Sequence, residues 1–171
     1  MLNYIWSGLI IGSLLFALTV DTQELVENRF RNDTALPVAL EFPEGYKPDA
    51  RRQPVRIRID SATYEQMFGV DTAPDPSYSG VLVQTQEGRK VEFNSDAGFP
   101  EPLATIQQYH ATEDNPALRG TLTSSPGVGA GTAQLKTALQ FEPVRFRKLR
   151  NIAQAALNFA ETAASLALSL I

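Results

Sequence analysis

The sequence of 171 residues contains no cysteine and a single histidine, His110. The absence of cysteine excludes disulfide bonds, thiolate metal ligands and thiol nucleophiles. One histidine without a second ligand at a defined spacing satisfies no common metal pattern. Positive charge is also scarce, because 15 Lys and Arg face 19 Asp and Glu, for a net charge of -4. This balance argues against nucleic acid as a partner, and we expect no metal and no cofactor.

Sequence patterns that signal catalysis are missing as well. The segment Gly127–Thr132 is rich in glycine but lacks the G-x-x-x-x-G-K-[ST] spacing of a phosphate loop, so we predict a flexible loop. No G-x-S-x-G nucleophile elbow occurs. His110 lies in the polar segment 107–114, where we predict an exposed loop histidine. We therefore predict no catalytic residue, and a membrane-anchored hydrolase is the least favoured function.

The N-terminal segment 1–20 has no charged side chain. Its apolar run from Tyr4 to Val20 is about 17 residues, the low end of what a helix needs to cross a bilayer core of about 30 Å. Tyr4 and Trp6 stand at one end, where aromatic side chains favour the membrane interface. The segment is predicted to be a transmembrane helix.

Two other interpretations of segment 1–20 compete with this one. A cleavable secretory signal should begin with basic residues, but no Lys or Arg precedes the apolar run, and Ala17-Leu18-Thr19 is a poor cleavage site. A buried helix of a soluble protein should carry a polar stripe, and the sequence shows none. An uncleaved membrane helix is preferred. Residues 21–34 are predicted to connect it to the next domain through a short helix capped by Asp21 or Thr22.

Residues 35–146 are predicted to form a β-rich domain, because short apolar runs alternate with Pro and Gly clusters. A hairpin turning at Gly88 is the clearest local signal. Ser61–Phe68 is predicted to be a short helix with Ser61 as its N-cap and Gly69 as its stop. The predicted strands are Leu36–Phe42, Val55–Ile59, Gly80–Thr85, Arg89–Phe93, Leu118–Thr123 and Ala133–Phe146.

Residues 147–171 are rich in alanine and leucine without Gly or Pro, which predicts a long helix. The helix is amphipathic at first and wholly apolar or small after Glu161. Its apolar end at Leu170-Ile171 would leave the last carbonyls without partners inside a bilayer. We therefore expect residues 147–171 to open a second transmembrane segment of a longer protein.

Basic residues flank both predicted membrane segments on the side of the β-rich domain, where lipid phosphates can bind them. By the positive-inside rule this places the β-rich domain in the cytoplasm. The four arginines at positions 51, 52, 56 and 58 are instead predicted to form an exposed strand face balanced by Glu and Asp. The flanking residues are Arg29 and Arg31 after the first segment, and Arg145, Arg147, Lys148 and Arg150 before the second.

Both ends of the chain resemble the spore maturation protein A-like membrane proteins, in the wider group with nucleoside-recognition or gate domains. The resemblance is carried by the opening Met-Leu-Asn-Tyr-Ile-Trp before an apolar helix and by the Ala-rich segment Ala160–Ile171. About 130 residues separate the two stretches where the family has a short linker, and Glu161 and Ser169 replace an expected basic residue and glycine. The resemblance implies a multi-pass membrane protein, with a nucleoside or small solute handled by helices beyond this chain.

The predicted fold class is therefore membrane α-helical ends with an inserted small β-rich (α+β) domain. The predicted function is a transport or gating component of the cell (inner or plasma) membrane, with the lipid bilayer and a protein partner of the inserted domain as its contacts. The alternative is a membrane-tethered β-rich binding module whose C-terminal helix folds back on the β domain. That alternative predicts that Ile152, Leu157 and Phe159 are buried.

Overall fold

The protein is seen here as a computed structural model that describes residues 2–86, 88–112, 115–123 and 131–169. The chain separates into two compact units, a continuous one over Arg29–Val144 and a discontinuous one made of residues 1–28 and 145–171. The discontinuous unit contains helices α1 (Leu2–Val26) and α4 (Arg147–Ser169). The continuous unit contains β1 (Leu36–Glu41), β2 (Arg52–Ile59), α2 (Ser61–Phe68), β3 (Tyr78–Thr85), β4 (Gly88–Phe93), α3 (Leu103–His110), β5 (Arg119–Leu122) and β6 (Gln134–Phe141).

The six strands form a closed antiparallel barrel in sequence order, and β6 pairs back with β1 to close it. The closing ladder runs from Leu36 opposite Leu139 to Glu41 opposite Gln134. Because every strand has two neighbours, the barrel presents no open sheet edge to another strand.

Side chains alternate between the barrel interior and its outer surface. In β2, Gln53, Val55, Ile57 and Ile59 are buried, and the residues between them are exposed. The arginines of the strand, Arg52, Arg56 and Arg58, are among the exposed residues, as predicted. The interior is filled by apolar side chains, so the barrel holds a packed core instead of a channel. These side chains are Leu36, Val38, Leu40, Val55, Ile57, Ile59, Tyr78, Leu82, Val91, Phe93, Leu135, Leu139 and Phe141.

The helix α2 has the predicted bounds but not the predicted N-cap. Asp60, one residue before Ser61, is the N-cap, and its carboxylate accepts a hydrogen bond from the Thr63 N–H at 2.9 Å. A carboxylate at this position also meets the positive end of the helix dipole. Gly69 ends the helix at φ 65°, as predicted.

A second short helix, α3, joins the same apolar cluster as α2 and the barrel interior. Its Leu103 and Ile106 are buried, and so is Tyr64 of α2. The Tyr64 hydroxyl donates a hydrogen bond to the Glu101 carbonyl at 2.8 Å, and burial raises the pKa of this tyrosine. The sequence predicted about one short helix in this unit, because the prolines around α3 obscure its four apolar positions.

Each predicted strand overlaps an observed one. The hairpin of β3 and β4 is confirmed, with Gly88 in the left-handed half of conformational space at φ 130°. The last strand is shorter than predicted, because it ends at Phe141 before Glu142-Pro143. A proline cannot donate the ladder hydrogen bond that continuing the strand would require.

The predicted fold class, membrane α-helical ends around a β-rich insertion, is wrong. The protein is an α+β protein built on a closed six-stranded barrel. Among the described residues, α1 is the one helix long and apolar enough to cross a membrane, over Ser7–Val26. The helix α4 does not qualify, because polar and charged side chains recur through its first four turns: Arg147, Lys148, Arg150, Asn151, Gln154 and Asn158.

The apolar side chains of α4 differ in exposure. Leu157 and Phe159 are 64% and 77% exposed. Their packing against the β domain stays a prediction. Ile152 is half-buried.

Among the described glycines, Gly80 has the least room for a side chain. A Cβ atom at this position would lie 2.5 Å from the Glu92 carbonyl oxygen and 2.7 Å from Cδ1 of Ile57. We expect Gly80→Ala to lower the free energy of unfolding by about 1–3 kcal/mol, because backbone atoms of β4 would have to shift. The measurement is denaturant unfolding of the full chain in detergent, followed by the near-UV circular dichroism of its buried tyrosines.

The matched control is Gly98→Ala, where no atom lies within 4 Å of the added Cβ. Equal unfolding midpoints for the two variants would contradict the close packing of β3 against β4.

Candidate functional site

The residues predicted to lie at the membrane interface fall on the two helices of the discontinuous unit. Tyr4 is 84% exposed on α1. Trp6 belongs to the same helix, but its side chain lies outside the described residues. Three of the predicted cations, Arg147, Lys148 and Arg150, lie in the first turn of α4, and Arg145 precedes them. Arg145, Lys148 and Arg150 are exposed, and Arg147 is half-buried.

The start of α4 is capped by the other helix of its unit. Phe146, the residue before α4, has φ 51° and no side-chain acceptor. The two oxygens of the Asp21 carboxylate in α1 take that role and accept hydrogen bonds from the N–H groups of Lys148 and Leu149, both at 2.8 Å. Asp21 is 1% exposed. We call this contact the Asp21 clasp.

An ion pair supports the clasp. The Arg147 guanidinium lies 3.1 Å from the Glu24 carboxylate, and both side chains are largely buried. Cations in the first turn of a helix oppose its dipole. Asp21 and Glu24 offset that repulsion, which explains how α4 begins with a basic turn.

The Asp21 clasp was missed by sequence reasoning. The sequence predicted Asp21 or Thr22 as the cap of a separate short helix. In the structure α1 continues to Val26, and the Thr22 hydroxyl donates to the Leu18 carbonyl within the same helix. One signal indicated that the cap of α4 must come from elsewhere in the chain, since Val144, Arg145 and Phe146 are all poor N-cap residues.

A cleft of about 510 Å³ lies on the outer face of the barrel, where β6, β1 and β2 run side by side. Pro37 and Ala39 of β1 line it, with Arg58 of β2 on one side and Lys136 of β6 on the other. The register explains this shape, because Ala39 lies opposite both Arg58 and Lys136. A methyl group between two long side chains leaves a depression.

A second cleft, of about 390 Å³, continues the first along β1 and shares Gln134 with it. We call the two together the β1 trough. Its floor consists of Pro37, Ala39, Glu41 and Pro43, and its walls carry Arg56 and Arg58 on one side and Gln134 and Lys136 on the other.

The charges of the β1 trough are unevenly paired. Arg58 forms an ion pair with Glu41 at 3.1 Å. The side chains of Arg56 and Lys136 make no hydrogen bond or ion pair with any residue in the described part of the chain. The trough therefore has a floor that is apolar except for Glu41, and the Asp60 carboxylate also lines it. The two unpaired cations can bind an anionic group.

The prediction that acidic residues balance the arginines of β2 is confirmed for two of its three arginines. Arg52 pairs with Glu92 at 2.8 Å, and Arg58 pairs with Glu41, as expected of a strand face neutralised by acidic residues. Arg56 departs from this pattern, because its opposite residue Glu41 is held by Arg58.

His110 lies at the end of α3, not in a loop as predicted, and its side chain is 27% exposed. Its two ring nitrogens face the carboxylate of Glu142 at 3.3 Å and the carbonyl of the same residue at 3.1 Å. Within the described residues no group of three or more potential metal-ligating side chains forms. These contacts connect α3 to the end of β6, a structural role.

No protein-family model matches the chain, and no curated protein or solved structure shows significant similarity to it. The glycine-rich segment Gly127–Thr132 lies largely outside the described residues.

We expect Asp21→Ala to loosen the start of α4, because the N–H groups of Lys148 and Leu149 lose their acceptor. Loss of a helix cap costs about 0.5–2 kcal/mol. Hydrogen exchange measured by mass spectrometry on the full chain should show faster exchange in peptides covering residues 146–152.

Asp21→Asn retains one acceptor oxygen and should give an intermediate rate. The control is Asp33→Ala, which removes an exposed carboxylate from a turn of the other unit. Unchanged exchange in Asp21→Ala would show that the clasp does not stabilise α4.

Proposed function

We propose that the protein is a membrane-tethered β-barrel interaction module, in which α1 is the anchor and the barrel binds a protein partner through its outer face. The observation that carries this proposal is the apolar surface of α1. Large apolar side chains are exposed around this helix, among them Ile5, Leu9, Ile10, Ile11, Leu15 and Phe16.

Such a surface supports a bilayer as the contact of α1. Only 11% of the apolar 18-residue window within Ser7–Val26 is buried, so the described residues leave most of it uncovered. Apolar area in water costs about 25 cal/mol per Å², and a contiguous apolar surface marks a contact with membrane or protein. The proposed location is the cell membrane, with the barrel on the cytoplasmic side.

The barrel supports a binding role. Its interior is filled by side chains, so ligands are excluded from the lumen. Its outer face has the β1 trough, where the side chains of Arg56 and Lys136 lack partners among the described residues. A binding surface of this kind needs no cofactor.

A second candidate is the function implied by the sequence resemblance, a transport or gating component of the spore maturation A-like and nucleoside-recognition type. One observation favours it: α1 and α4 belong to one unit, and the barrel lies between them in sequence. This is the arrangement expected if a barrel interrupts a pair of helices that carry the resemblance. Loss of nucleoside uptake by membrane vesicles when the gene is deleted would support this candidate over the first.

We expect the double substitution Ile11→Arg and Leu15→Arg to release the protein from membranes. Both side chains are exposed on α1, and an arginine at the centre of a membrane helix costs about 2.5–3.5 kcal/mol. The measurement is the fraction of full-length protein that stays with carbonate-washed membranes.

The matched control is the double substitution Phe159→Arg and Leu166→Arg, which places the same charges at exposed apolar positions of α4. Its membrane fraction should equal that of the unmodified protein. Retention of the α1 variant on membranes would contradict the proposed anchor.

A further inference from the structure

We propose that the β1 trough binds an extended acidic segment of a protein partner, whose carboxylates occupy alternate residues of that segment. The inference rests on the proposed function, since it names the partner chemistry of the module. Four features of the trough lead to it: its cations, its floor, its repeat and the closure of the barrel.

The cations of the trough indicate that its ligand is negatively charged. Lys136 and Arg56 are exposed and have no described partner, and the Arg58 side chain remains 57% exposed beside Glu41. Three cations therefore share the trough with two carboxylates, Glu41, which pairs with Arg58, and Asp60, which caps α2. This local positive excess contrasts with the net charge of -4 for the whole chain.

The floor gives the shape of the ligand. Pro37, Ala39 and Pro43 are short and apolar, and Glu41 is the one long side chain between them. The stretch from Pro37 to Pro43 is about 20 Å long in extended conformation. It matches a peptide segment of about six residues lying along β1.

The repeat of the trough gives the spacing of the charges. Lys136 and Arg58 flank Ala39, and Gln134 and Arg56 flank Glu41 in the next row. These two rows are two residues apart along β1, which is about 6.6 Å. Side chains at alternate positions of an extended peptide repeat at the same distance. One carboxylate can therefore meet Lys136 and the next can meet Arg56, while Glu41 in the second row is held by Arg58.

Closure of the barrel gives the mode of binding. A peptide cannot add to this sheet as an extra strand, because β1 is paired with both β2 and β6. Recognition must therefore use the outward side chains, which makes the affinity depend on charge at Lys136 and Arg56.

The test uses the full chain in phosphatidylcholine nanodiscs and fluorescein-labelled hexapeptides, with binding followed by fluorescence anisotropy. The peptides are alternating aspartate and alanine, alternating asparagine and alanine, and three aspartates followed by three alanines. We expect the alternating acidic peptide to bind most tightly. The double substitution Lys136→Glu and Arg56→Glu should weaken it by about tenfold or more, from two lost and reversed ion pairs.

The control variant is Arg51→Glu, which reverses an exposed charge outside the trough and should change the affinity by less than about twofold. Near-UV circular dichroism verifies that each variant is folded. Equal weakening by Arg51→Glu, or equal binding of the two acidic peptides, would overturn the proposed site. If neither acidic peptide binds, the proposed site is also overturned. The proposal that α1 anchors the protein in the membrane is tested separately, by the fraction that stays with carbonate-washed membranes.

Discussion

The pairing of β1 with β6 is the interaction on which the rest of the barrel depends. It joins the first and last strands of the continuous unit and closes the sheet. The inward-facing apolar side chains of the strands therefore pack together in one core. It also makes the β1 trough, because it places Lys136 beside Ala39. Pro37 of β1 and Pro54 of β2 lie beyond the ends of the β1–β2 ladder. Because a proline has no N–H group, it is tolerated where no ladder hydrogen bond is required on that side of the strand.

The discontinuous unit depends on a different balance, between helix dipoles and side-chain charge. A basic first turn destabilises the start of α4, and two acidic residues of α1 compensate for it from within the same unit. The charges at 145–150 are therefore partly structural. The cations of the β1 trough are different in kind, since Arg56 and Lys136 lack such partners among the described residues.

Local signals in the sequence were sufficient for most elements of the barrel. Alternation predicted β2, the glycine at position 88 predicted the hairpin, and Gly69 predicted the end of α2. Contacts between distant residues could not be predicted, because no local pattern relates Ala39 to Lys136 or Asp21 to Lys148. The fold class was wrong because alanine, which dominates α4, favours helix strongly but contributes little apolar surface.

The closure of the barrel is tested most directly by backbone nuclear Overhauser effects between β1 and β6 in the full chain. The account predicts cross-strand contacts in the register that places Pro37 opposite Ala138 and Ala39 opposite Lys136. A register shifted by one residue would turn Lys136 toward the interior. That result, or the absence of contacts between the two strands, would contradict both the closed barrel and the trough on its surface.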